Sequence, residues 1–300
     1  MKIFFLLNPS DPRRLASHQK LATQIARRHG WDHRFGAVDR QHPDTTEHLI
    51  RQMIEDGCSR LVVLGGDGTL HRVLNELQRL NRLSSMEIAV VPGGTCNDFA
   101  RTLRLRRKRP AAAFELACTG KTRAMDLAWA NHQLFFNNAG FGRQLDLPPA
   151  SAGNEPKKRP RALKTLRSFC PISLRARWDQ GTVMGTFFMA LVCNNPFFSG
   201  GLYFSKAIRA NDGLLDVFLL PAMPKWKLVS LLLKGRLGRP VSTRQMVSLR
   251  VREIEFEAQN DLWPQEDGEP CRGSVRRIRY AIASEKAMIV VPAKSKSICF

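Results

Sequence analysis

The residues of this 300-residue chain that could do chemistry gather in two glycine loops, Gly65-Gly66-Asp67-Gly68-Thr69 and Gly93-Gly94-Thr95-Cys96-Asn97-Asp98. Glycine lets backbone N–H groups come close to an anion, and a helix starting at the same point adds unpaired donors and the positive end of its dipole. Such a cradle suits a polyphosphate. A carboxylate inside it, Asp67, repels phosphate unless a divalent cation lies between them, so the pattern points to a metal–nucleotide, with Mg-ATP the natural candidate. Neither familiar phosphate-loop pattern is met. The Lys-Ser/Thr pair of one is missing, and His71 stands where the other needs its third glycine. The plain alternative for the first loop is a strand-to-helix turn capped by Thr69. The second loop weighs against it, because two such turns on the carboxyl edge of one parallel sheet can face a single nucleotide. Asp98 by itself reads as a helix-start acid favoured by the dipole.

The elements that must position these loops are legible around them. Residues 2–7 read as a strand, 15–29 as a helix closed by Gly30, 47–56 as a helix closed by Gly57, and apolar strands lead into both loops. Strands and helices alternate to about Gly120, which predicts a doubly wound α/β layer structure. Hairpins follow. Residues 125–130 and 133–136 flank Asn131-His132, residues 174–178 and 183–193 flank Gln180-Gly181, and 214–220 is a further apolar run. The apolar phase changes near Arg252-Glu253, which predicts a bulge or strand break. Residues 225–237 are apolar enough to be weighed as a membrane-lying helix, although packing on a sheet is the favoured use. Residues 148–160 form a loop rich in Pro, Ala and Lys.

A hydrophobic content of 43% allows two ordinary cores, and no apolar run is long enough to cross a bilayer, so a soluble chain is expected. The run 3–7 is too short for a secretory segment. Seven cysteines without CxxC spacing indicate neither a zinc site nor a disulfide framework and fit a reducing cytoplasm. The formal charge of +21 is concentrated at 101–109 and 157–167. Such patches attract polyanions, and charge alone leaves nucleic acid, anionic lipid and simple solubility open.

Asn8-Pro9 after the first strand, the GGDGT loop, Gly93 to Arg101, and Asp267-Gly268-Glu269 near the end, in this order, resemble the diacylglycerol kinase catalytic family, and in particular its soluble bacterial lipid kinases. Two departures stand out. Pro92-Gly93-Gly94-Thr95-Cys96-Asn97-Asp98 replaces the usual Pro-Leu-Gly-Thr-Ala-Asn-Asp, and Ser10-Asp11-Pro12-Arg13-Arg14 stands where a glycine and a phosphate-contacting lysine are common, leaving Arg13 or Arg14 to replace that lysine. The resemblance implies an ATP-dependent lipid kinase with Mg²⁺ as cofactor and ATP as co-substrate. The fold it implies is α/β plus all-β: a nucleotide-binding domain at 1–124, with 283–293 a candidate strand to complete it, and a β-sandwich lipid-acceptor domain at 125–282. The acceptor hydroxyl is then delivered to the cleft between them.

The resemblance also assigns roles. Glu269 is the general base, although Asp267-Gly268 alone would read as an ordinary hairpin turn. Asp67, Asp98 and Asp126 join it in the acidic network, and Asn8, Gly65, Gly66, Gly68, Thr69, Gly94, Thr95 and Asn97 hold the nucleotide. A structural magnesium ion falls to the Asp212 carboxylate and the backbone carbonyls of Arg209 and Leu214, a stretch that alone reads as an Asn-Asp-Gly turn. Phe141-Gly142 and Ser199-Gly200-Gly201 match the family's glycine-rich turns. Diacylglycerol, phosphatidylglycerol and a sphingoid-like lipid are all eligible acceptors. The expected partners are ATP, the lipid and, through the basic patches, an anionic membrane surface on the cytoplasmic side of the inner membrane; no nucleic acid is expected, and a homodimer is left open. Two alternatives are an NAD kinase-like enzyme, disfavoured by the Gly-Thr-x-Asn-Asp motif, and a weakly active polyanion-binding or regulatory protein, disfavoured by the intact Asp67, Asp98 and Glu269.

Overall fold

The computed structural model describes residues 2–8, 12–38, 42, 44–142, 171–241, 244, 246–271 and 273–292. The basic cluster at 157–167, the loop at 148–160 and residues 9–11 lie outside the described residues. In chain order the elements are β1 (Lys2–Leu7), a 3-10 turn (Pro12–Arg14), α1 (Leu15–Arg28), β2 (Asp32–Ala37), α2 (Thr45–Glu55), β3 (Arg60–Gly65), α3 (Asp67–Arg79), β4 (Glu87–Pro92), α4 (Asp98–Thr102), α5 (Pro110–Thr119) and β5 (Lys121–Ala130). There follow β6 (Gln133–Phe135), β7 (Asn138–Gly142), β8 (Ile172–Trp178), β9 (Gly181–Cys193), β10 (Phe197–Phe198), β11 (Leu202–Tyr203), β12 (Leu215–Pro221), α6 (Lys225–Arg236), β13 (Val247–Val251), β14 (Glu253–Leu262), β15 (Gln265–Glu266), β16 (Glu269–Pro270) and β17 (Val275–Val291). Two compact units result, one from Met1–Leu127 with Ala283–Phe300 and one from Ala128–Ile282.

In the first unit, β1 pairs in parallel with β2 and β3, β3 with β4, and β4 with the end of β17 through Met288↔Glu87. Strand neighbours therefore reverse direction in sequence at β1, which is the switch point where open α/β sheets hold ligands at their carboxyl edge. β1 and β3 are buried along nearly their whole length, the near-continuous apolar run that a sheet covered on both faces produces. One face (Ile3, Phe5, Leu7, Val62, Leu64) packs on α1 through Ala22, Ile25 and Ala26 and on α5 through Ala113, Phe114 and Ala117. Phe4 points to the other face, toward Leu49 of α2: a Cβ on Gly36 would meet both side chains. This is the doubly wound arrangement. Gly30 and Gly57, both at φ +68°, close α1 and α2 as left-handed residues.

In the second unit the strands are mostly antiparallel, in the order β16-β15-β7-β9-β8-β14-β17, with β12 pairing β9 and β13. The β5–β6 hairpin turns at Asn131, φ +51°, with Ala130 opposite Gln133. In the next hairpin Trp178 pairs with Gly181, so the turn is Asp179-Gln180 and not Gln180-Gly181; Gly181 is already strand. Arg252 breaks the strand where the phase shift predicts: β13 pairs β12, whereas β14 pairs β8 and β17. β12 and the second part of β9, from Phe187 on, bury both faces. Ala190, Val192, Val217 and Leu219 join one core, while Leu191, Cys193, Phe218 and Leu220 join another with Leu228 and Leu231 of α6. Packing on a sheet is therefore what this helix does with one of its faces. No helix among the described residues is long and apolar enough to cross a membrane.

Candidate active site

The two glycine loops touch backbone to backbone. Gly93 and Gly94 donate their N–H groups to the Gly65 carbonyl at 2.8 and 3.1 Å, and a Cβ on Gly94 would lie 2.3 Å from Gly66 Cα. No side chain fits there, so these glycines are needed for one loop to reach the other. Gly66 is the N-cap of α3, whose first residues are Asp67, Gly68 and Thr69. Thr69 is thus inside the helix and not its cap. Its hydroxyl accepts from Asn8 Nδ2 at 2.9 Å, which joins the end of β1 to the first loop.

Asp67 and Asn97 define the second loop. Asn97 is held left-handed at φ +53°; its Oδ1 accepts from Gly94 N and its Nδ2 donates to Gly94 O, both at 2.8 Å. The Asp67 carboxylate then accepts the backbone N–H of Asp98 at 2.9 Å and of Phe99 at 3.1 Å. Asp98 is buried, with Arg101 Nε 4.0 Å from its Oδ1. Thr95 is exposed at the turn. Asn8, Gly65, Gly66, Asp67, Thr69, Gly94, Asn97 and Asp98 therefore form one connected cluster at the carboxyl edge of the sheet. Asp126, also in this unit, is buried and meets Lys286 Nζ at 2.8 Å. The sequence reading missed that lysine, which lies 160 positions further along the chain with no local motif.

In the second unit Glu269 is exposed at the start of β16, across from Glu266. Between them Asp267 (φ +52°) is buried, and its carboxylate accepts the N–H groups of Phe136 at 3.1 Å, Asn137 at 2.7 Å and Asn138 at 3.2 Å. Asp267 N in turn donates to Asn138 O at 2.8 Å. Asn194 and Asn195 brace the same segment, donating their side-chain amides to the Phe136 carbonyl at 3.0 and 2.7 Å. The turn that presents Glu269 is thus clamped by its neighbour Asp267. The doublets Asn137-Asn138 and Asn194-Asn195, set in apolar surroundings, were the available signal for this buried polar network.

Arg209, Asp212 and Leu214 lie before β12. Asp212 Oδ1 accepts from Leu214 N at 3.1 Å, an Asx turn in place of a tight hairpin, and Oδ2 pairs with Arg250. Burial pushes the nearby Asp216 carboxyl up to about 6, opposed by Arg250 and reinforced by Asp212. Asp216 Oδ2 is buried with no hydrogen-bond partner among the described residues. The Asp212 carboxylate and the carbonyls of Arg209 and Leu214 are oxygen donors of the type a hard cation takes, so these residues fit magnesium in kind, although no group of three or more His, Cys, Asp or Glu that could hold a metal occurs among the described residues. Arg250 would share Asp212 with it.

Residues 2–130 match the family model of the diacylglycerol kinase catalytic domain, and residues 159–281 that of the YegS C-terminal NAD kinase beta sandwich-like domain. The chain is 33% identical over 259 residues to the probable lipid kinase YegS-like of Pseudomonas aeruginosa, covering 82% of this chain and 81% of the relative. It is 24% identical to the diacylglycerol kinase of Bacillus subtilis over 219 residues, 70% of each. A crystal structure of a diacylglycerol kinase from Bacillus anthracis shares the fold at a TM-score of 0.75, with 19% identity and 97% of both chains covered. These matches define a phosphotransferase of the diacylglycerol kinase family. The chain belongs to the YegS-like lipid kinases within it.

Proposed function

We propose that the protein transfers the γ-phosphoryl group of Mg-ATP to a hydroxyl of a membrane lipid, with diacylglycerol, phosphatidylglycerol and sphingoid-like lipids as the eligible acceptors. The single observation that carries this is the hydrogen bond that the Asp98 amide donates to the Asp67 carboxylate, which joins the two glycine loops around an acid and supports reading them as one phosphate cradle. The glycine loops, the first turn of α3 and Asn8 orient the polyphosphate, with Thr95 at the exposed turn. Asp67 and Asp98 would hold Mg²⁺, which when bound spreads the charge of the transferred group. Glu269 accepts the proton of the acceptor hydroxyl as that oxygen bonds to phosphorus and the bond to the β-phosphate oxygen breaks. Asp126 pairs with Lys286 and supports the acidic network. Residues 1–124 with 283–293 serve the nucleotide and residues 125–282 the acceptor. A second magnesium ion at Asp212, Arg209 and Leu214 is structural. The enzyme works from the cytoplasm at the inner membrane surface.

Incubation with labelled ATP, Mg²⁺ and a lipid panel, with NAD present as a competing acceptor, tests the reading. Label in one lipid class supports it. Label only in NAD would make the protein an NAD kinase, and label in nothing would leave a polyanion-binding protein.

A further inference from the structure

We infer that α6 docks the protein on an anionic bilayer, lying in the membrane surface with Trp226, Leu233 and Leu237 among the outer acyl chains. The helix is apolar on two opposite faces. Leu228 and Leu231 are buried in the core, and a Cβ on Gly235 would fall 2.6 Å from Val241, so the inner face is closely seated. On the outer face Trp226 is 69% exposed, Leu233 59% and the cap residue Leu237 78%. At about 100° per residue these three fall within about 20° of one line along the helix. Only Met184 and Trp263 join them as exposed large hydrophobics among the described residues. Single exposed apolar side chains are ordinary; a stripe of three on one helix marks a contact surface.

Charge selects the occupant. Between Asp216 and Glu253 the sequence holds no acidic residue, while Lys227 and Lys234 are exposed on the helix beside the stripe, Arg239 is exposed just past its end, and none of the three pairs with a carboxylate among the described residues. Lys227 Nζ lies 5.5 Å from the centre of the Trp226 ring. An aromatic anchor, leucines and lysines able to snorkel is the composition that sits at a headgroup boundary, and anionic lipid attracts each cation. A second copy of the chain would bring the same cations face to face across a two-fold contact. Twelve residues rise about 18 Å, too short to span, so the helix lies in the plane.

The inference deepens the lipid-kinase reading and rests on it only for the biological use of the surface, since binding is measured without ATP. Co-sedimentation with vesicles of phosphatidylglycerol and phosphatidylcholine is compared with phosphatidylcholine alone, for the wild type and for Trp226→Ser/Leu233→Ser/Leu237→Ser. All three positions are exposed, and circular dichroism checks the fold. The wild type should bind the anionic vesicles, and the triple variant should bind them on the order of a hundredfold more weakly. Lys227→Glu/Lys234→Glu should weaken binding at low salt and less at high salt. Equal binding by the triple variant would overturn the inference, as would a variant that loses a dimer in analytical ultracentrifugation while keeping vesicle affinity. If vesicles are bound through this face and no lipid is phosphorylated, the docking stands and the kinase reading fails.

Discussion

The Asp67 carboxylate accepts the Asp98 amide at 2.9 Å, so an acid of the first glycine loop caps the short helix opened by the second. A carboxylate oxygen can accept more than one partner, so the same side chain can hold the loops together and face a cation. Structure and chemistry are coupled at this residue.

Asp67→Asn separates the two. The amide keeps one acceptor oxygen for the two N–H groups of Asp98 and Phe99 and loses the charge, so stability should fall by about 1–2 kcal/mol, the upper range of a helix cap. Turnover should fall by a hundredfold or more, in the range of lost electrostatic groups on the order of 10²–10³. Lipid-kinase rates beside a urea titration check both, and near-normal turnover would remove Asp67 from the reaction.

Asp267 and Glu269 should behave oppositely. Glu269→Gln sits on an exposed position, so the fold should be untouched while kcat drops at least about a hundredfold and nucleotide affinity changes little. Asp267→Asn removes the charge facing three buried N–H donors and sets an NH2 group in place of the oxygen nearest the Phe136 N–H, costing about 1–3 kcal/mol. Denaturant midpoints and kcat for the pair give the comparison; equal stability losses would make Glu269 a scaffold residue.

Arg60 and Glu87 set an acid limit on stability. The Arg60 guanidinium is buried against Glu87 at 2.6 Å and donates to the Ala117 carbonyl at 2.8 Å, with the Trp31 ring 4.9 Å away. Burial raises the Glu87 pKa, but the Thr122 hydroxyl and Arg60 outweigh it, leaving it below the ordinary value. A lowered carboxyl contributes stability above its unfolded pKa and loses it as pH falls through the folded one. Glu87→Gln should therefore cost about 1–3 kcal/mol at neutral pH, for a pair only partly buried. The gap to wild type should close as pH falls below the usual glutamate range, as thermal unfolding at pH 7 and pH 3 would read.

Magnesium without nucleotide should raise the melting temperature of the wild type. At a hundredfold excess over Kd the gain is about 2.7 kcal/mol, several degrees for a domain of this size. Asp212→Asn should abolish that shift. An undiminished shift in the variant would place the stabilising ion elsewhere.

Much of this was legible because it is local. The apolar strands into Gly65 and Pro92, and the glycines closing α1 and α2, announce themselves within a few residues, and so does the strand break at Arg252. The Thr69 cap and the Gln180-Gly181 turn were misplaced by a few residues, since cap and register are fixed by backbone pairing that no local pattern encodes. The long-range partners were not legible at all. Nothing near Asp126 points to Lys286, and Asp267 looks like a plain turn residue until its carboxylate is found on the amides of residues 136–138.

The parallel pairing of β17 with β4 gives this chain a peculiar birth order. The strand that covers the β4 edge is translated after the whole of Ala128–Ile282, a delay of roughly 8–30 s at ~5–20 residues/s. For that interval the apolar β4 keeps one open ladder, a template for aberrant pairing on the ribosome, and Asp126 awaits its lysine. Nascent-chain chaperones should therefore engage this protein late, after the first loops have formed and before β17 emerges.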